Sequence, residues 1–377
     1  MKKTLGLTLT IMALSLLPSC GGGNVSHSGE GNQIDMHHAR NLSMTELGDD
    51  VTLVTLRNPW DTTRTMARYA LVPRGHEAPA TLPEGTVTLT VPLERSVVYS
   101  GVHVSLIDEL GAMDAVNGVC DAAYINDERA KAALASGRIA DCGSNQSPNM
   151  ERIVSLHPQA ILLSPYEKSD EASRFARTGI SVVETADYME PTPLGRAEWM
   201  RFYGRLYGKG AKADSLFGAI EKRYAEVRDR AAKAKTQPYV LFDRLYSGVW
   251  DVPTSGSVTG RLINDAGGLN PFAMRRESGS AHLTAEEVLY KAKDADIWLI
   301  RHFEPSGLSL SALKADNPIY AKFKAYKNGN VYGANTLKRP LFEDGAFHPQ
   351  LVLEEMVRLL HPELTAPGDT LRYYRKL

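Results

Sequence analysis

The strongest constraint on this chain is a rhythm. Over 95–190, and again over 236–366, apolar runs of strand length alternate with helix-length stretches. In the first block "RSVVYS", "VNGVC", "AILLS" and "ISVVE" read as strands. "HVSLIDELGA", "ERAKAALASG", "NMERIVSLHPQ" and "EASRFARTG" read as helices, with Gly111 and Gly137 as stops. In the second, "YVLFDRL", "DIWLI" and "NVYGA" are strands. "GSVTGRLINDAGG" (stopped by Gly267 and Gly268), "TAEEVLYKAK", "NPIYAKFKAYK" and "PQLVLEEMVRLLHPEL" carry helices. Strands separated by helices pair in parallel and are covered on both faces. Residues 191–235 contain no plausible strand. Trp199, Phe202 and Leu206 share one helical face there, as do Leu216, Ile220, Tyr224 and Val227, with Gly208 and Gly210 dividing two helices. The expected fold is α/β: two parallel-sheet lobes, 95–190 and 236–366, joined by a long helical connector, and a tail at 367–377.

The N-terminal part is different. Lys2 and Lys3 precede the apolar run "LGLTLTIMALSLL", and "LPSC" ends at Cys20. Residues 1–20 read as a signal peptide whose apolar core is too short to span a bilayer. The cysteine after Leu-x-Ser resembles a bacterial lipobox, which implies a lipidated Cys20 and a membrane anchor. Residues 21–50, rich in Gly, Ser, Asn and His, read as a flexible tether in which His37 and His38 are solvated. Residues 51–94 read as a β-rich extension, placed to cover a sheet edge: "VTLVTL" and "TVTLTV" have strand character, and "RNPWDTT" and "PRGHEAPATLPEG" are turns. Cys120 and Cys142 are not spaced as a zinc site or a redox pair. In an oxidising compartment they are expected to form a disulfide, contributing roughly 3 kcal/mol; the alternative is two buried thiols. A formal net charge of -1 gives no general attraction to nucleic acid.

One phrase is written twice. "NMERIVSLHPQAILLS" and "TAEEVLYKAKDADIWLI" each open on an N-cap candidate, Asn149 and Thr284, and each runs into a buried strand. Glu151 and Glu286 both fall at the second helical position, and Ile153-Val154 and Val288-Leu289 fall at equal offsets facing the core. Acids are favoured at helix N-termini by the macrodipole, worth about 0.3–1 kcal/mol. In the second copy, however, Thr284 and Glu287 complete a capping box, which leaves Glu286 to point outward.

Taken in order, "PLERSVVYSGVHVSLIDELGA", "NMERIVSLHPQAILLS", "LTAEEVLYKAKDADIWLI" and "LLHPEL" resemble the substrate-binding proteins of ATP-driven importers for cobalamin, haem and ferric siderophores. The resemblance spans roughly residues 90 to 364. It implies two lobes on a rigid connecting helix, a ligand clasped between them with little hinge motion, and a periplasmic, membrane-anchored monomer. It also implies that Glu151 and Glu286 dock on arginines of a permease dimer. No intrinsic cofactor is expected; the ligand is an iron chelate, haem or a corrinoid.

Ligands of open α/β sheets gather beyond the carboxyl ends of the strands. Those ends carry Tyr99, Ser100, His103, Tyr124 and Tyr166, with Glu167 beside the last, in the first lobe. In the second they carry Arg244, Tyr246, Trp250, Arg301, His302, Lys338 and Arg339, with Phe342 close behind. Aromatics interleaved with arginines suit a large, flat or anionic ligand. Each aromatic has an alternative use as wall packing, His103 as a structural histidine, and Arg301 and Arg339 as partners of Glu343 or Asp344.

Other classes fit less well. "GSVTG" resembles a nucleophile elbow but carries Val258 at its centre, and no phosphate-loop, dinucleotide or H-E-x-x-H motif occurs. The chain is therefore not expected to be an enzyme such as a lipoprotein hydrolase. A zinc or manganese carrier would need His103, His302 and an acid such as Glu167 to converge. A surface receptor acting without an importer would share every feature above.

Overall fold

The computed structural model describes residues 31–166, 174–175, 177–276, 279–365 and 370–377. Cys20, Glu167, and residues 171–173 and 176 of the helix expected over 171–179 lie outside the described residues.

Both lobes form as the alternation requires. In the first, five strands make an all-parallel sheet, ordered Ser181–Glu184, Ala160–Leu163, Ser96–Val98, Val116–Val119, Ala140–Asp141. Ala160–Leu163 is buried throughout, as a strand covered on both faces must be. In the second lobe Val240–Phe242, Ile297–His302 and Val331–Asn335 are parallel. Arg375–Lys376 closes that sheet antiparallel to Val331–Asn335, so the expected tail is part of the lobe. Tyr373 and Tyr374 just before it are buried.

Two local expectations change. The stretch "NPIYAKFKAYK" forms a 3-10 turn, Pro318–Lys322, and a short helix, Lys324–Lys327, rather than one helix. The sequence pattern also does not reveal an antiparallel ribbon of Leu245–Tyr246, Val249–Pro253 and Ser280–Leu283.

The connector consists of Pro193–Glu198, Met200–Leu206 and the 22-residue helix Gly210–Ala231. The last is about 33 Å long at 1.5 Å per residue. It packs on Met200–Leu206 and on the C-terminal helix Pro349–Leu360, burying Phe217, Ile220, Tyr224 and Val227. One hydrophobic core runs unbroken from Met44 through Val98, Trp199 and Tyr224 to Leu353, so the lobes are joined by packed side chains as well as by the chain.

The extension is longer than its sequence pattern shows. Asn32–Ile34, Leu42–Glu46, Thr52–Arg57, Thr65–Pro73 and Thr86–Val91 form a five-stranded sheet in chain order. Residues 32–46 are therefore ordered structure and not tether. Ile34, Leu42 and Met44 enter the core, and residues 37–41 are held by two buried carboxylates. Glu198 accepts the backbone amides of His37 at 2.9 Å, His38 at 2.8 Å and Ala39 at 2.7 Å. Glu190 accepts those of Arg40 and Asn41, each at 2.9 Å. The His38 ring, expected to be solvated, bonds Glu221 through Nε2 at 2.6 Å. The Tyr69 hydroxyl accepts the Glu184 amide at 2.9 Å, which places the extension against the edge strand Ser181–Glu184.

The expected Cys120–Cys142 disulfide is absent: both are free, buried thiols. They follow the neighbouring parallel strands Val116–Val119 and Ala140–Asp141 inside an apolar cluster. Burial pushes the Cys142 thiol up to about 11, which keeps it protonated and poorly reactive.

Candidate functional site

A cleft opens where the two sheets present their carboxyl ends. One part, about 310 Å³, has Tyr188, Glu190 and Arg196 on the first-lobe side and Ser257, Thr259 and Arg301 on the other. A second part, about 130 Å³, shares Arg196, Val258, Thr259 and Arg301 and adds Phe242, Phe342 and Tyr374. Local rules build both walls. Thr192 caps Pro193–Glu198 by accepting the Gly195 amide at 3.0 Å, with Pro193 at the first helical position, and Arg196 follows one turn on. Ser257 caps Val258–Asp265 by accepting the Gly260 amide at 3.0 Å, which places Val258 and Thr259 at the cleft.

Two arginines give the cleft its charge. The Arg301 amide and Nε bond Asp243 Oδ1 at 3.0 and 3.1 Å, and its Nη2 reaches Asp243 Oδ2. Its guanidinium lies 5.0 Å from the Phe242 ring centroid and 5.8 Å from that of Phe342. Burial works against that charge, but the Asp243 carboxylate outweighs it and raises the Arg301 pKa. Arg196 bonds Asp187 Oδ2 through Nε at 2.9 Å. Its remaining nitrogens bond no group among the described residues, and its side chain is 23% exposed, so they are open to a ligand.

The residues expected at the rim separate into three groups. Tyr124, Tyr166 and Tyr246 are exposed, and Tyr246 meets exposed Phe303 edge-on at 6.2 Å. Tyr188 and Phe342 are exposed too, so most parallel strands of the two sheets are followed by an aromatic ring open to solvent. Ser100 is half-buried at the start of helix Gly101–Glu109 and caps nothing with its side chain.

A second group is occupied elsewhere. Arg244 pairs with Glu304, and with Asp316 at 3.0 Å. Arg339 donates to the Arg372 carbonyl at 3.1 Å, and Lys338 to that of Pro305 at 2.9 Å. Glu343 and Asp344 do not pair with the cleft arginines: Asn126 donates to Glu343 at 2.8 Å, and Arg372 to Asp344 at 3.0 Å.

The third group is buried and corrects the expectation. Trp250 is fully enclosed, stacked on Trp298 at 5.8 Å, with Nε1 donating to the Phe242 carbonyl. It belongs to the inner face of the antiparallel ribbon and not to the rim. Tyr99 is 1% exposed within the first lobe's core. His103, also 1% exposed, bonds Asp187 through Nε2 at 2.9 Å. His302 is buried facing Glu304 at 2.9 Å. Among the described residues no three His, Cys, Asp or Glu side chains gather as a metal site.

The sequence reading missed Arg196, Tyr188, Phe242 and Thr259. Arg196 sits in a stretch read only for its helical core face. Its signal, an arginine one turn after a Thr-Pro helix start that follows a strand end, is legible only once the cleft is known.

The paired glutamates form as the repeat implies. Asn149 accepts the Arg152 amide at 3.0 Å at the start of Met150–Ser155. Thr284 accepts the Glu287 amide at 3.2 Å, and Glu287 returns the bond to the Thr284 amide at 2.8 Å, completing the capping box of Ala285–Ala292. The bonds from Thr284 hold the Glu287 carboxyl below the usual range. Glu151 and Glu286 are both exposed, and neither bonds any described residue. Val154, expected to face the core, is 39% exposed beside Glu151.

Two parallel-sheet lobes bracketing a cleft, with helices across the join, define a bilobal binding protein. A family model described as periplasmic binding protein matches residues 97–336. An uncharacterised lipoprotein of Methanocaldococcus jannaschii is 31% identical over 288 residues, covering 73% of this chain and 67% of that one. The chain belongs to the periplasmic binding protein family, and is a binding protein rather than an enzyme. A protein of Halobacterium salinarum named cobalamin-binding protein is 27% identical over 278 residues, 72% of each chain. Among solved structures, the periplasmic haem-binding protein of Vibrio cholerae aligns with a TM-score of 0.55 at 18% identity, over 72% of this chain and 98% of that one. An Fe3+-hydroxamate transport structure from Saccharomonospora viridis gives 0.56 at 21% identity, over 72% and 94%. These two show the shared fold. No helix among the described residues is long and apolar enough to cross a membrane.

Proposed function

We propose that this protein is the lipid-anchored substrate-binding component of an ABC importer. It captures a corrinoid, haem or ferric siderophore between its lobes and hands it to the permease. The observation that carries this is the cleft at both sets of strand ends, with Arg196 and Arg301 in one cavity and exposed aromatic rings at the strand ends of both lobes. Rings offer flat apolar area with few rotatable bonds, and guanidinium groups pair with carboxylate or phosphate oxygens. A bare metal ion would need a cluster of hard or soft ligands instead. The relative named as cobalamin-binding, similar over nearly three quarters of each chain, supports testing a corrinoid first.

Glu151 and Glu286 supply the handover in this proposal, each an unpaired carboxylate on the first turn of an equivalent helix, one per lobe. Exposed ion pairs are individually weak, which suits a carrier that must leave after delivery. The lipid on Cys20 would keep the carrier at the membrane.

The test is isothermal titration with cyanocobalamin, haemin and ferric citrate, on the wild type and on Arg301→Gln. At least one probe should bind, and that one should weaken on substitution. A wild type that binds none of them, or a folded Arg301→Gln that binds unchanged, refutes the cleft as the ligand site.

A further inference from the structure

Arg196 is the one cleft cation whose orientation depends on a fully buried chain of polar groups. Asp187 Oδ2 accepts its Nε at 2.9 Å, while Asp187 Oδ1 meets His103 Nε2, also at 2.9 Å. The Asp187 side chain is 1% exposed and the His103 side chain 2%. Burial alone would raise the Asp187 carboxyl, but His103 and Arg196 hold it below the usual range, so the carboxylate is charged. The His103 ring is fixed in turn by Tyr203, with centroids 5.1 Å apart, and by Phe347 of the second lobe at 6.1 Å. Its Nδ1 is buried with no partner.

We propose that Asp187 and His103 are positioning residues for the ligand. They fix the Arg196 guanidinium so that its free nitrogens face the cleft beside Arg301, where they take an oxyanion (carboxylate or phosphodiester) of the ligand. This rests on the cleft being the ligand site. A core whose only role was stability would have no need of this chain. Asp187 as a neutral, apolar residue would spare the first lobe a buried charge. The ion pair instead orients the one side chain of helix Pro193–Glu198 that is not buried, a guanidinium with no other bond among the described residues. Nε engaged from below leaves the two terminal nitrogens as a planar fork. Phe347 packs on His103 from the second lobe, so the chain of contacts starting at that lobe ends at the cleft arginine.

The sign of one substitution separates positioning from simple charge. Asp187→Asn keeps the shape but removes a negative charge beneath Arg196. Electrostatics alone would tighten binding of an anion, whereas loss of orientation weakens it. The probe is whichever of cyanocobalamin, haemin and ferric citrate binds the wild type. For Asp187→Asn the expected result is a loss of about tenfold in affinity in the wild-type background and less than about twofold in an Arg196→Gln background. Because a buried substitution can disturb folding, His103 provides a second pair. His103→Gln, which keeps a donor for Asp187, should bind within about twofold of wild type, and His103→Leu should lose about tenfold at an equal melting temperature. Tighter binding by Asp187→Asn, losses that simply add to that of Arg196→Gln, or unchanged affinity in His103→Leu would each overturn the proposal. A wild type that binds no probe fails at the cleft itself, a result distinct from these.

Discussion

Replacing Glu198 by alanine should release the N-terminal strap from the connector. The carboxylate is fully buried and accepts three successive backbone amides, from His37, His38 and Ala39, as well as Arg201 Nη1 at 3.3 Å. Hydrogen bonds to a charged group contribute about 1.5–3 kcal/mol each. The three amides lie on partly exposed residues that recover water once released, so the lower figure applies, about 4–5 kcal/mol in all. Removing the buried charge returns part of that, which leaves a net loss of about 2–4 kcal/mol. Arg201 keeps Asp214 at 2.7 Å, so its own charge stays paired. At roughly 2 °C per kcal/mol for a chain of this size, the melting temperature should fall by about 4–8 °C. A bilobal chain need not melt in one step, so limited proteolysis gives the sharper assay. Cleavage should appear between residues 31 and 41 in the variant well below its melting temperature. Glu198→Gln keeps an accepting oxygen and should show the same effect at about half the size. A Glu198→Ala protein that melts within about 1 °C of wild type and resists cleavage there would refute the strap.

The remaining expectations are smaller. Glu151→Ala and Glu286→Ala should each weaken docking about 1.4- to 5-fold, and the double variant about 2- to 30-fold, from 0.2–1 kcal/mol per exposed ion pair. Uptake in vesicles with unchanged ligand affinity reads this, and normal uptake by the folded double variant removes the docking role. Trp250→Phe should leave ligand affinity within about twofold of wild type while lowering the melting temperature, because the indole is packed in the second core; a larger loss of affinity would place it at the ligand. Burial raises the Glu184 carboxyl, so folded protein binds the proton more tightly than unfolded chain and ionisation costs stability. That cost is absent below the ordinary carboxyl range near 4.5 and complete above the raised folded value. Glu184→Gln should therefore raise the melting temperature at pH 7.5 and leave it unchanged at pH 4; an equal gain at both refutes the cause. With Cys120 and Cys142 as free thiols, reductant should not shift the melting curve, and a thiol reagent should count both only after unfolding; a shift would restore the disulfide.

By itself the sequence determined what short-range geometry encodes. Short continuous apolar runs placed the parallel strands and the 3.6-residue period placed the connector, because a strand covered on both faces is apolar along its length, whereas a helix repeats its apolar face at its own spacing. Capping chemistry acts within one turn, so Asn149, Thr284 and Glu287 fixed two helix starts, and Glu286 could be read as outward-pointing before any contact was known. Tertiary structure decided everything that depends on partners far along the chain. Residues 37–41 carry no periodic signal, and they are ordered because Glu190 and Glu198, about 150 residues away, supply the acceptors for their amides. Trp250 reads equally well as a rim aromatic or a core one; strand pairing with Ser280–Leu283 turned it inward. Arg196 stood out in no sequence pattern; folding set Asp187 beneath it and Arg301 within the same cavity. A local pattern records which side of an element is apolar, but which polar groups meet in a cleft depends on how separate elements pack.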